Sequence, residues 1–178
     1  LEDTRPKNFS ELVRISGFSH GTDVWLNNAQ DLIKNGVVKL EDAISTRDDV
    51  MNYLIQHGVK PLTSFKVMEN VRKGKGLEKG GSNNRAELDA AHVPQWFIDS
   101  CLKIGYLFPR AHAVAYVMMA FRIAWFKVYQ PLAYYAAYFT IRAEGSFNAP
   151  VILRGLASMK QELARIAALD KPTAGEKG

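Results

Sequence analysis

The sequence predicts an all-α, mainly helical fold with no substantial sheet, and three observations predict it. Capping patterns recur ahead of apolar-periodic runs, with Asn8 three residues before Glu11 and Thr46 three before Asp49. Glycine or asparagine-glycine stops follow those runs at Gly17, Asn35-Gly36, Gly58, Gly74 and Gly105. No segment alternates apolar and polar residues as a half-buried strand does, and there is no internal repeat.

Taken in order, Pro6 to Ser16 places Phe9, Leu12, Val13 and Ile15 on one face, so a short helix is expected to end at Gly17. Phe18-Ser19-His20-Gly21 then reads as a tight loop, and Thr22 or Asp23 caps a helix using Trp25, Leu26, Ala29, Leu32 and Ile33. A turn or two is expected over Leu40 to Ile44, followed by a helix built on Val50, Met51, Leu54 and Ile55. Pro61 suits a first helical position, with Leu62, Phe65, Val67, Met68 and Val71 on the apolar side of a helix reaching about Lys73. The Gly/Asn-rich residues 76–92 read as a flexible connector with one helical turn near Arg85 to Ala90. Pro94 opens a helix through Trp96, Phe97, Ile98, Cys101 and Ile104. Ala111 to Tyr129 is apolar nearly all round, as a helix buried on most sides would be. Pro131 ends it and begins a Tyr- and Ala-rich helix to about Ala143, then a turn over Gly145 to Pro150, an amphipathic helix from Val151 to Leu169 and a polar tail over 171–178.

The chain has 178 residues, 47% hydrophobic and 23% charged, which is the composition of a globular domain. Its single Cys101 excludes a disulfide framework and a zinc knuckle, and makes a reducing cytoplasm the expected location. Leu1 is followed by polar residues with no signal-peptide pattern, so the chain reads as a piece of a longer one. Arg122, Lys127, Gln130 and Pro131 break the apolar stretch 111–141 into runs of about a dozen, short of the roughly 18 a membrane span requires, so no membrane partner is expected. The formal charge is +5, and Lys66 to Arg85 carries six basic residues against Glu69 and Glu78, which is +4 of that total.

Arg72, Lys73 and Lys75 surround Gly74 and Gly76 at a helix end. Three cations within four positions beside two glycines can bracket phosphate oxygens, yet a solvated helix C-terminus has the same composition. The spacing is neither a Walker A motif nor a dinucleotide fingerprint. His112 and Tyr116 lie four apart among alanines, on one helix face, and suit stacking against a base; the alternative is a pair of satisfied core residues. Arg110 stands at a helix N-terminus, against the dipole, which a nearby phosphate would explain. Ser16, Ser19, His20 and Asp23 lie too close in sequence for a hydrolytic triad and read as a polar loop able to contact a ligand. His57 and His92 need no function, no metal-ligand spacing is present, and Glu41-Asp42 and Asp48-Asp49 read as caps.

Phe108-Pro109-Arg110-Ala111-His112-Ala113-Val114-Ala115-Tyr116, with Arg122 to Lys127 and Pro131 to Tyr138, resembles the signature of bacterial replicative DNA polymerase III alpha subunits. Thr4 to Lys7, Ile15 to Trp25 and Val71 to Leu77 resemble the PolC type in particular, and the resemblance runs in order over about residues 1–143. It implies a fingers domain over 1–143 with a divergent helix and tail over 144–178, and a DNA-directed nucleotidyltransferase as the parent. It further implies that Arg72, Lys73 and Lys75 contact the triphosphate of an incoming dNTP, and that His112, Tyr116, Ser19 and His20 line the pocket of the nascent base pair. The implied Mg2+ ions belong to palm aspartates upstream. No Asp-x-Asp occurs in this chain, no catalytic residue is expected in it, and alone it should not polymerise. DNA primer-template and, through the parent, replisome subunits such as the sliding clamp are the implied partners. Residues 78–92 depart from the acidic helical stretch usual in the family, and 144–178 from its pattern. A non-catalytic helical nucleic-acid-binding or replisome assembly module is the alternative class.

Overall fold

The computed structural model describes residues 4–78, 83–146 and 149–169, with side chains unassigned over 142–149. Ten α-helices and no strand occur among them: α1 Phe9–His20, α2 Gln30–Lys34, α3 Arg47–Gln56, α4 Pro61–Val71, α5 Asn84–Ala90, α6 Gln95–Lys103, α7 Arg110–Tyr129, α8 Pro131–Ser146, α9 Ala149–Leu153 and α10 Leu156–Ala167. The all-α expectation holds. Two isolated bridges, Thr22 with Tyr106 and Thr46 with Phe108, are the β-type pairings among the described residues.

The chain divides into two compact units, Leu1–Met119 and Ala120–Gly178. In the first, Phe18, Val24, Val50, Leu54, Val67, Met68, Val71, Leu88, Phe97, Ile98, Cys101 and Leu107 belong to one buried cluster. Burial of these side chains stabilises the unit, each by about 1.5–3 kcal/mol relative to exposure. Both capping signatures operate. The Glu11 N–H donates to Asn8 Oδ1 at 2.9 Å, and the Glu11 carboxylate accepts from the Lys7 N–H and the Asn8 amide. Asp49 Oδ2 accepts from the N–H and hydroxyl of both Ser45 and Thr46 at 2.8–3.1 Å.

Several expected boundaries move. Gly17 does not end α1; it lies buried in the helix, where a Cβ would come within 2.6 Å of the Ser45 carbonyl oxygen, so the glycine serves close approach instead of termination. Phe18 to His20 therefore belong to the helix. Thr22 and Asp23 do not cap a following helix. Trp25–Ala29 is a wide turn with non-helical Leu26, Asn27 and Asn28, and only Gln30–Lys34 is α-helical. Its anchor is Asn28, buried, whose amide donates to the Asp23 and Ser100 carbonyls while the Ser100 hydroxyl donates back at 2.7 Å. Leu62 and Phe65 are exposed, and Thr63, Ser64, Val67, Met68 and Val71 form the buried side of α4. The connector holds more order than expected, since α5 spans seven residues and buries Leu88; residues 79–82 of it lie outside the described residues.

α7 is not buried on most sides. Ala113 is its one buried residue, and the boundary between the units falls within it after Met119. By length and composition this 20-residue helix also reaches the minimum for crossing a membrane, with Arg122 and Lys127 inside it. In the second unit no described side chain is buried. Gly145 and Ser146 continue α8 instead of turning, with 147–148 outside the described residues. The single helix expected over Val151 to Leu169 is broken at Gly155, where φ is +90°, into α9 and α10. The tail over 171–178 lies outside the described residues.

Candidate functional site

One extended segment, Gly105 to Phe108, organises the sequence motifs of the first unit. The Gly105 and Tyr106 N–H groups donate to the Thr22 carbonyl, and the Thr22 N–H donates to the Tyr106 carbonyl at 3.0 Å. The Leu107 N–H donates to the Arg72 carbonyl at 3.3 Å, and the Arg47 N–H donates to the Phe108 carbonyl at 3.1 Å. Four residues thus tie the end of α1, the basic turn after α4 and the start of α3 to the start of α7. Every one of these bonds is backbone to backbone, which is why side-chain pattern alone could not place it.

The basic turn is set by α4's C-terminus. The Lys73 and Lys75 N–H groups both donate to the Asn70 carbonyl, closing the helix end, and Gly74 and Gly76 take φ of +65° and +66°. At Gly74 a Cβ would meet the Gly105 oxygen at 2.5 Å, so the turn lies directly against the organising segment. Arg72 donates through Nε and one terminal nitrogen to both oxygens of Glu69, and Lys73 Nζ stands 2.8 Å from Glu69 Oε2. Those hydrogen bonds, from Arg72 foremost and then Lys73, hold the Glu69 carboxyl down to about 2, and Glu69 in turn raises the Arg72 guanidinium. Lys73 and Lys75 are exposed and Arg72 is half-buried. Cations at a helix C-terminus are favourable in themselves, so the ion cluster is locally stable without a ligand.

From Phe108 of the same segment, rings stack in series. His20 lies 5.1 Å from Phe108 between ring centroids, Phe108 lies 4.9 Å from His112 edge-on, and His112 lies 4.4 Å from Tyr116. Tyr116 is 60% exposed and His112 and His20 are exposed, so neither of the α7 pair is a core residue. The Ser19 hydroxyl donates to the Ser16 carbonyl at 3.0 Å and lies 2.9 Å from His20 Nδ1, which fixes that imidazole at the helix end. The structure therefore joins Ser19, His20, His112 and Tyr116 into one ring-lined surface. Phe108 is the ring that bridges His20 and His112, and a lone apolar residue before a proline carries no chemical signal of its own in the sequence.

Arg110 stands apart from both groups. Its N–H donates to Asp48 Oδ2 at 2.9 Å and its guanidinium lies 3.9 Å from Asp49 Oδ1, which Arg14 also approaches at 3.5 Å. Asp48 thus caps α7, and carboxylates supply the negative charge that an arginine in this position calls for. Arg14, Asp49 and Arg110 also line a cleft of about 840 Å³ bounded by Tyr53, Trp96, residues 36–39, Glu41 and Asp42.

Among the described residues no group of three or more His, Cys, Asp or Glu side chains is arranged to hold a metal ion. The paired acids do not fit one either, because Asp49 is already engaged by Ser45, Thr46 and two arginines. Cys101 is fully buried, and burial pushes its thiol far above the usual range, which leaves it inert.

Residues 1–91, just over half the chain, match the family model described as the bacterial DNA polymerase III alpha subunit finger domain. The chain belongs to that family. The relatives it resembles are PolC-type DNA polymerases III. It is 55% identical over 177 residues to that of Thermotoga maritima, covering 99% of this chain and 13% of the relative. It is 57% identical over 168 residues to that of Caldanaerobacter subterraneus, covering 94% and 12%, and 61% identical over 143 residues to that of Staphylococcus aureus, covering 80% and 10%. The finger-domain chain therefore spans only about an eighth of the length of the relatives it matches. Similarity to the Thermotoga maritima protein continues through the C-terminal residues beyond 143.

Proposed function

We propose that this chain binds and positions the incoming dNTP for template-directed DNA synthesis as the fingers of a PolC-type polymerase. In this reading residues 1–143 form the fingers and 144–178 a C-terminal helix and polar tail. The observation that carries it is the segment 105–108, whose backbone bonds the basic turn at Arg72 and whose Phe108 belongs to a row of rings that includes the exposed His112 and Tyr116. A deoxynucleoside triphosphate has the complementary halves, a polyanion and a flat base. Arg72, Lys73 and Lys75 would neutralise charge on the phosphates, and His112 and Tyr116, with Ser19 and His20 behind Phe108, would face the nascent base pair. Fixing both halves relative to one another converts an encounter with the primer end into an oriented one.

The reaction of such a polymerase is attack of the primer 3′-hydroxyl on the α-phosphate with release of pyrophosphate. The Mg2+ ions that chemistry employs would be held by carboxylates outside this chain, so no step through a metal is assigned to its residues. Primer-template DNA and the sliding clamp are partners of the parent in this reading, and the cytoplasm is its location, with no membrane partner.

The test is Tyr116→Ala in a polymerase carrying this chain. Single-nucleotide incorporation is expected to fall about 5- to 150-fold, the loss of one stacking contact of ~1–3 kcal/mol, with primer-template affinity nearly unchanged. Equal loss in both would mean that Tyr116 supports the fold or the duplex instead of the nucleotide.

A further inference from the structure

Glu69 is not among the residues expected to touch a nucleotide, yet its carboxylate holds two of the basic turn's cations. It lies one helical turn before the turn's cations, so α4 itself aims its carboxylate at them. Both of its oxygens are used: one takes Arg72 Nε, and the other takes an Arg72 terminal nitrogen at 2.9 Å and Lys73 Nζ at 2.8 Å. The arginine is gripped along one edge by a planar two-oxygen anion, the same fork by which guanidinium holds a phosphate. Exposure of the pair is 25% and 23%, so the contact is neither fully solvated nor sealed from exchange.

We infer that Glu69 is an internal counter-anion that competes with polyphosphate for Arg72 and Lys73, setting how tightly the site grips its ligand; this rests on the triphosphate reading above. Its charge lowers the site's formal charge from +3 to +2, and a triphosphate arriving at Arg72 must displace the carboxylate or bind beside it against repulsion. The carboxylate also keeps both side chains aligned before the ligand arrives, so a neutral amide of the same shape retains an acceptor for them while removing the competing charge.

The experiment is calorimetric titration of the 178-residue chain with inorganic tripolyphosphate, without metal and at low ionic strength, for the unsubstituted chain, Glu69→Gln, Arg72→Gln and the double variant. Circular dichroism melts check that each variant folds. Glu69→Gln is expected to tighten binding about three- to tenfold, a gain that shrinks as salt is added and is smaller in the double variant, where only the release of Lys73 and the lost repulsion remain. Binding that depends on Arg72 but is unchanged or weakened in Glu69→Gln would overturn the competition while leaving the triphosphate reading standing. Binding that is indifferent to Arg72 in every chain would overturn both. A lowered melting point in Glu69→Gln with no change in affinity would mark Glu69 as purely structural and overturn the inference.

Discussion

At the scale of single residues, Gly74 and Glu69 show how the basic turn is held. Gly74 combines a left-handed φ of +65° with a 2.5 Å approach of any Cβ to the Gly105 oxygen. Gly74→Ala is therefore expected to cost about 2–3 kcal/mol, read as a fall in denaturation midpoint, and to shift the amide signals of residues 105–108. Glu69 is held near 2 against an ordinary value of 4.5, so its stabilising contribution is complete above about pH 4.5 and is lost as pH falls toward 2. A side-chain carbonyl NMR titration should put its midpoint near 2, and Glu69→Gln should flatten that part of the stability profile. A midpoint near 4.5 would mean the fork with Arg72 is not populated in solution. These residues were partly legible in the sequence. Arg72, Lys73 and Lys75 stand out by charge density, and a helix reaching about Lys73 puts Glu69 within i,i+3 and i,i+4 of two of them; what the sequence does not show is that one carboxylate holds both at once.

At the scale of elements, Asp49 is the joint of three helices. It caps α3 with four hydrogen bonds at one oxygen, while the other faces Arg14 from α1 and Arg110 from α7. Asp49→Ala should destabilise the first unit by about 2 kcal/mol, more than an exposed cap replacement, because the arginines also lose their counter-charge. Chemical denaturation measures it. The Thr46/Asp49 and Asn8/Glu11 boxes and the proline opening of α4 were readable because they are local. The wide turn over Trp25–Ala29 was not. Its apolar residues sit at helical spacing, but the buried Asn28 finds partners at the Asp23 carbonyl and at Ser100, seventy-two residues away, and that tertiary contact overrides local preference. The same holds for Gly17, a stop signal by composition that packing against Ser45 turns into a helix interior.

At the scale of the whole chain, burial is uneven. The first unit has a single apolar cluster centred on Leu54, Val67 and Phe97, whereas no described side chain of the second unit is buried. Hydrogen exchange on the chain should find α3, α4 and α6 protected to near the global unfolding free energy, and α8 to α10 exchanging far faster. Comparable protection in both would show that the second unit is held as firmly as the first. Leu54→Ala should cost about 2–5 kcal/mol and release the protection of α3, α4 and α6 together. The all-α class and the family were legible because caps, stops and motif residues lie in the sequence itself. The exposure of α7 was not, since an apolar helix reads the same whether its faces meet a core or none.

The nucleotide reading depends most on the basic turn, and its sharpest test is steady-state incorporation by a polymerase carrying this chain with Arg72→Gln and Lys75→Gln. Loss of two charge-assisted contacts, each worth about 1.5–3 kcal/mol, should raise KM for the incoming nucleotide about a hundredfold or more while primer-template affinity holds. Unchanged KM and kcat in the double variant would contradict the triphosphate role.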